Sequence, residues 1–133
     1  IFDIRQWIVN VFEFVYNYLN EKDRSKDKYV QIVDKIKNII DDEYKSIENV
    51  SQISDKIYMS TSYVNHIFKK QEGITVFEYL VKVRMEKAKQ MLADTNMKIS
   101  EISMDLGYSS SAYFTTVFRE YVGQTPKQFR SQR

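Results

Sequence analysis

The sequence predicts an all-α protein, and three observations carry the prediction. With 3 Gly and 1 Pro in 133 residues, there is too little material for the turns of an all-β fold. Long stretches rich in Lys, Glu, Asp and Ile favour helix. A helix-sized segment is also written twice, as S-T-S-Y-V-N-H-I-F-K-K-Q-E-G at 60–73 and S-S-A-Y-F-T-T-V-F-R-E-Y-V-G at 110–123. Ser60/Ser110, Tyr63/Tyr113, Phe68/Phe118 and Gly73/Gly123 are identical between the copies, and Val64/Phe114, Ile67/Val117 and Lys69/Arg119 keep their character.

The first element is I-F-D-I-R-Q-W-I-V-N-V-F-E-F-V-Y-N-Y-L, residues 1–19. Ile1, Ile4, Ile8, Val11, Val15 and Tyr18 form a heptad seam, and Phe2, Trp7, Phe12, Phe14 and Leu19 add apolar surface outside it. Such a helix needs a partner, either a second copy in a homodimer through residues 1–19, an upstream domain or the bundle that follows, and a linker or dimerisation helix is the expected role. The polar stretch N-E-K-D-R-S-K-D-K at 20–28 reads as a charged hinge or an exposed helix end, and the domain boundary is expected there. A second helix is expected from about 28 to 42, with Tyr29, Val30, Ile32, Val33, Ile36, Ile39 and Ile40 facing inward.

Two helix-turn-helix units are expected next, at about 50–73 and 99–123. Val50, Ile53 and Ile57 supply the apolar face of the first short helix, Tyr58-Met59 its turn and Ser60 the next N-cap. In the second unit Ile99, Ile102 and Leu106 play that part, Gly107 supplies the left-handed turn residue, and Ser109/Ser110 restart the chain. The first helices align at an offset of 49 and the second at 50, so the second turn holds one extra residue. Between the units, T-V-F-E at 75–78 is a capping box opening a connecting helix of about 75–92, whose apolar residues are Val76, Phe77, Leu80, Val81, Ala88, Met91 and Leu92. Its length of about 27 Å makes it a stiff spacer. Thr125-Pro126 caps a short last helix closed by Phe129.

At 100° per residue, Val64, Ile67, Phe68 and Gln71 of the first copy share a core side with Phe114, Val117, Phe118 and Tyr121 of the second. Ser62, Asn65, His66 and Lys69 face outward in the first copy, and Ala112, Thr115, Thr116 and Arg119 in the second. A helix that follows a tight turn and offers small polar side chains suits the DNA major groove. Asn65 can bond adenine through two hydrogen bonds, Thr115 and Thr116 can bond a base edge or touch a thymine methyl, and His66 can reach a base or a phosphate. Lys69 and Arg119 suit backbone phosphates, as do the helix starts at Ser60, Thr61, Ser110 and Ser111.

Composition sets limits on function. Cysteine is absent, which excludes disulfides and thiolate chemistry, and a single His argues against a His-based metal site. Neither a glycine-rich phosphate loop nor a Ser/His/Asp arrangement is present, so no enzymatic activity and no cofactor are expected. No apolar run reaches the roughly 18 residues of a membrane span. The net charge of +2 is weak support for nucleic acid, its excess lying in 29–133. A chain beginning at Ile1 is expected to belong to something longer.

K-I-S-E-I-S-M-D-L-G-Y-S-S-S-A-Y-F-T-T-V-F-R-E-Y-V-G-Q-T-P-K-Q-F at 98–129 strongly resembles the DNA-binding domain of the AraC/XylS family of transcription regulators. I-Y-M-S-T-S-Y-V-N-H-I-F-K-K-Q-E-G and F-E-Y-L-V-K-V-R-M-E-K-A-K-Q-M-L upstream are similar to it too, and the resemblance covers about 29–133. It implies a seven-helix domain of two helix-turn-helix subdomains preceded here by a linker helix. By position, the family's base-reading sites fall on Ser62, Asn65 and His66, and on Ala112, Thr115 and Thr116. These are smaller and less basic than the family often uses, which shifts weight to DNA shape and phosphate contacts. Double-stranded DNA is the implied partner, with RNA polymerase a further one. Residues 1–28 are similar to connectors that follow a receiver or a membrane-bound sensor, and the DNA-binding part is expected in the cytoplasm. The alternative reading is a helical protein-interaction module without specific DNA binding.

Overall fold

A computed structural model describes residues 3–133, apart from the side chain of Asp23. Among these the regular structure is entirely helical: α1 (Ile4–Glu43), α2 (Val50–Lys56), α3 (Thr61–Glu72), α4 (Val76–Asp94), α5 (Ile99–Asp105), α6 (Ser111–Val122) and α7 (Pro126–Ser131).

The expected break at 20–28 is absent, and the two N-terminal helices are one helix of 40 residues. The charged stretch consists mainly of good helix formers without Gly or Pro, so nothing in it stops propagation. Ser25, the residue most able to compete with the backbone, instead donates its hydroxyl to the Glu21 carbonyl at 2.9 Å. Asp3 starts the helix, its carboxylate accepting from the Arg5 N–H at 3.1 Å. Ile1 and Phe2, the first apolar residues of the expected seam, lie outside the described residues.

The two halves of α1 have different surroundings. From Tyr29 onward it packs on α3 and α4, burying Ile32, Val33, Ile36 and Ile40, while Val30, expected to face inward, is exposed. Toward the N-terminus Ile4, Ile8, Val11, Val15, Tyr18, Phe12 and Phe14 are exposed, the last two by 70% and 71%. The expected seam therefore exists as an uncovered apolar face.

Two cores flank α4. One joins Ile36, Ile40, Ile53, Val64, Ile67, Phe68, Val76 and Leu80; the other joins Met85, Ala88, Leu92, Ile102, Leu106, Phe114 and Phe118. Helix α4 packs against α1 and α3 on the first side and α5, α6 and α7 on the second. Its start is the expected capping box: Thr75 Oγ1 accepts from the Glu78 N–H at 3.1 Å, and Glu78 Oε2 accepts from the Thr75 N–H at 3.3 Å. At its other end Arg130 and Arg133 of the C-terminal segment donate to the carbonyls of Leu92, Thr95 and Met97, a cationic cap where the helix dipole is negative. Phe77, one of the apolar residues of this helix, is 48% exposed.

Candidate nucleic-acid interface

The repeated segments form two helices of equal length, 12 residues each. Each starts at a serine whose hydroxyl accepts from an N–H three residues on: Ser60 from Tyr63 and Ser110 from Tyr113, both at 3.2 Å. Each ends on a left-handed glycine, Gly73 or Gly123, whose N–H bonds the carbonyl four residues back, of Lys69 or Arg119, at 2.8 Å. Inside each unit a buried serine binds the first helix to the turn. Ser54 and Ser103, 1% and 0% exposed, accept at their carbonyls from the Met59 and Tyr108 N–H groups, both at 3.0 Å. Their hydroxyls reach the start of the next helix, at Thr61 Oγ1 (3.1 Å) and the Ser110 carbonyl (3.4 Å). This serine pair did not come out of the sequence reading, although Ile53-Ser54 and Ile102-Ser103 are the same dipeptide at the same offset.

With Val64, Ile67, Phe68, Phe114 and Phe118 buried, the outward faces are fixed. Ser60, Thr61, Ser62, His66 and Lys69 are exposed on α3 and its cap, and Asn65 is half-buried. Ser110, Ser111, Ala112, Thr116 and Arg119 are exposed on α6 and its cap, with Thr115 half-buried. The structure thus gathers each candidate set along one side of one helix, and places the two sets on separate helices that both pack against α4. Asn65, His66, Lys69 and Lys70 line a shallow surface groove. Gln71 and Tyr121, assigned to the core side, are exposed instead. They sit where the core face runs out, and the Tyr121 hydroxyl donates to Glu86 Oε1 of α4 at 3.3 Å.

The threonines are less versatile than the sequence suggests. Thr115 and Thr116 donate their hydroxyl protons to the carbonyls of Ser111 and Ala112, at 2.9 and 3.1 Å. That geometry leaves oxygen lone pairs and a methyl group, which suit an amino group on adenine or cytosine or the thymine methyl, and not a base acceptor. At the helix starts, the N–H groups of residues 61, 62, 111 and 112 have no helical carbonyl to bond, and they share the positive end of the helix dipole.

Between the two units lies a residue the sequence reading passed over. Arg84 of α4 is 6% exposed; its Nε donates to the Tyr44 carbonyl and its guanidinium to the Ile47 carbonyl, both at 2.8 Å, and it lies 5.1 Å from the Tyr108 ring centre. Tyr108 itself is buried with its hydroxyl lacking a well-aligned partner. Burial pushes that phenol above its usual range, and the Arg84 charge pulls it partly back.

Two helix-turn-helix units in tandem, joined by a rigid helix and presenting matched helices, define a double helix-turn-helix protein. A family model described as a helix-turn-helix domain matches residues 53–132. Among curated proteins, the Msm operon regulatory protein of Streptococcus mutans is 34% identical over 120 residues, covering 90% of this chain and 42% of that one. The C-terminal domain of the two-component response regulator yesN from Fusobacterium nucleatum superposes with a TM-score of 0.69 at 42% identity, covering 71% of this chain and 93% of that structure. The C-terminal domain of AraT, a response regulator from Geobacillus stearothermophilus, gives 0.74 at 31% identity, covering 77% and 85%. The chain belongs to the helix-turn-helix family of AraC-type DNA-binding domains. It spans less than half the length of its curated relative, the Msm regulator.

Proposed function

We propose that this chain is the DNA-reading part of a transcription regulator, in which α3 and α6 enter successive major grooves on one face of the duplex. The observation that carries this reading is the duplication itself: the same serine caps, glycine ends and apolar buried positions, with different outward residues at Ser62/Ala112, Asn65/Thr115 and His66/Thr116. A scaffold kept constant while its outward residues vary fits two helices reading different short sequences. The 19 residues of α4 extend about 28 Å; with the offsets at its ends, this is of the order of the roughly 34 Å between successive grooves. Ser62, Asn65, His66, Ala112, Thr115 and Thr116 meet bases. Ser60, Thr61, Lys69, Ser110, Ser111 and Arg119 meet phosphates.

Residues 29–133 constitute the DNA-binding unit, and residues 1–28 connect it to an upstream receiver or sensor domain. The uncovered face at Ile4, Ile8, Val11, Val15 and Tyr18 supports pairing with a second copy in that connector. RNA polymerase is a further partner, and no enzymatic step is assigned. The unit works in the cytoplasm, where its DNA is; no helix among the described residues is long and apolar enough to cross a membrane.

The test is binding to a selected duplex across a salt series. Affinity falls steeply between 50 and 200 mM salt, with a log–log slope that loses about one unit when Lys69 or Arg119 becomes Ala. Asn65→Ala loses discrimination at one or two base pairs, worth about 1–3 kcal/mol. An unchanged selected site removes Asn65 from the readers, and a flat salt response removes the phosphate contacts.

A further inference from the structure

Each helix-turn-helix unit has its own core, so the angle between α3 and α6 depends on what holds the units to one another. Helix α4 runs through both and lends side chains to each core. The loop after α1 supplies a second attachment. Tyr44 packs against both cores. Arg84 holds that loop by the carbonyls of Tyr44 and Ile47 while its guanidinium lies against Tyr108, in the turn of the second unit. Next to Tyr108, Gly107 is pressed against the same loop: a Cβ there would stand 2.4 Å from the Lys45 carbonyl oxygen and 2.9 Å from the Arg84 guanidinium. Over the same junction, Lys45 Nζ bonds both carboxylate oxygens of Asp105 at 3.1 Å.

The first unit's turn has no such attachment. Its residue equivalent to Gly107 is Tyr58, which is 96% exposed. The first turn leaves Tyr58 in solvent and packs Met59 on its own core, while the second is docked on the loop after α1, so the Arg84–Gly107 contact is a feature of how the units join and not of the motif.

We infer that Arg84 and Gly107 form a clamp that sets the relative placement of the two recognition helices, and so the spacing between the two half-sites that one chain can bind. Arg84 is a positioning residue; it acts through the loop and the second turn. A buried guanidinium bonded to two carbonyls has one geometry, because its donors are coplanar and fixed. Lysine at this position would keep the charge and lose the paired bonds. The inference rests on the two-groove reading given above, but the geometry it asserts can be measured without DNA.

Two measurements test it. The chain has no native cysteine, so Lys70→Cys and Glu120→Cys, at equivalent exposed positions on α3 and α6, give one spin-label pair. In the otherwise wild-type chain the distance distribution is narrow, and in Arg84→Lys it broadens, with helical circular dichroism retained. Duplexes carrying the selected site with zero, one or two base pairs inserted between its halves are then titrated. Wild type loses about tenfold or more in affinity on insertion, a change set by groove geometry, and Arg84→Lys reduces that penalty at least threefold. A variant that melts earlier yet keeps the narrow distribution and the wild-type spacing penalty overturns the clamp and leaves Arg84 a stabilising residue only. A narrow wild-type distribution that broadens in Arg84→Lys, in a chain that binds no duplex, sustains the clamp geometry and overturns the DNA reading instead.

Discussion

The clearest contrast at the scale of single residues is between Tyr58 and Gly107, which occupy equivalent turn positions. Both are left-handed, with φ of 56° and 94°. A non-glycine residue in that region costs about 1–2 kcal/mol, and Tyr58 is accepted because its side chain projects into solvent. Tyr58→Gly should relieve that strain, less the roughly 0.5–1 kcal/mol of extra backbone entropy that glycine loses on folding. A net gain of up to about 1.5 kcal/mol is expected, read as a higher midpoint in urea. Gly107→Ala should do the reverse: left-handed strain and a contact with the Lys45 carbonyl combine to a loss of about 2–5 kcal/mol. Equal effects at the two sites would mean the turns are equivalent in energy as well as in sequence position. Both turns could be located in the sequence, and their different residues with them, but only the three-dimensional junction shows that Gly107 is packed against the Lys45 carbonyl. Arg84 is the harder case: V-R-M within a spacer helix carries no sign that its guanidinium caps a distant loop, because that contact spans about 40 residues of chain.

For elements, the capping chemistry was legible because it is local. Ser60, Ser110, Thr75 with Glu78, and Thr125 all make the expected capping hydrogen bonds, and Gln128 completes a box with Thr125. The stretch 20–28, whose composition suits a hinge or an exposed helix end, lies inside a continuous helix, because polarity marks exposure and does not mark a break; an exposed helix of Lys, Glu, Asp and Arg has the same composition as a loop. No break in α1 separates the uncovered face from the first core, since Ile32, Val33, Ile36 and Ile40 sit on the same helix as that face. Residues 1–133 are therefore expected to self-associate more strongly than 29–133 in sedimentation experiments, and Ile8→Glu with Val15→Glu should reduce the longer chain to a monomer. Equal masses for the two lengths at high concentration would contradict a second copy as the partner of that face.

On the scale of the whole molecule, the helical class, the two units and the spacer followed from composition, periodicity and the repeat, since each depends on which residues are apolar and where helices are capped. How the units are oriented did not follow, because beside the packing on α4 it involves contacts among Arg84, Gly107 and the loop after α1 that lie far apart in sequence. On the proposed reading, the small outward residues would give each helix limited base discrimination, so specificity would depend on both being placed correctly at once. Replacing either half of a bound site should therefore weaken binding by more than the changed bases account for, as the remaining helix is held off its groove.

The most direct test of that account is selection of duplexes from a random pool by the wild-type chain and by Asn65→Ala and Thr115→Ala. Two short blocks separated by about one helical turn are expected, with Asn65→Ala changing one block and Thr115→Ala only the other. A single block altered by both substitutions, or no enrichment at all, would contradict two helices with two addresses.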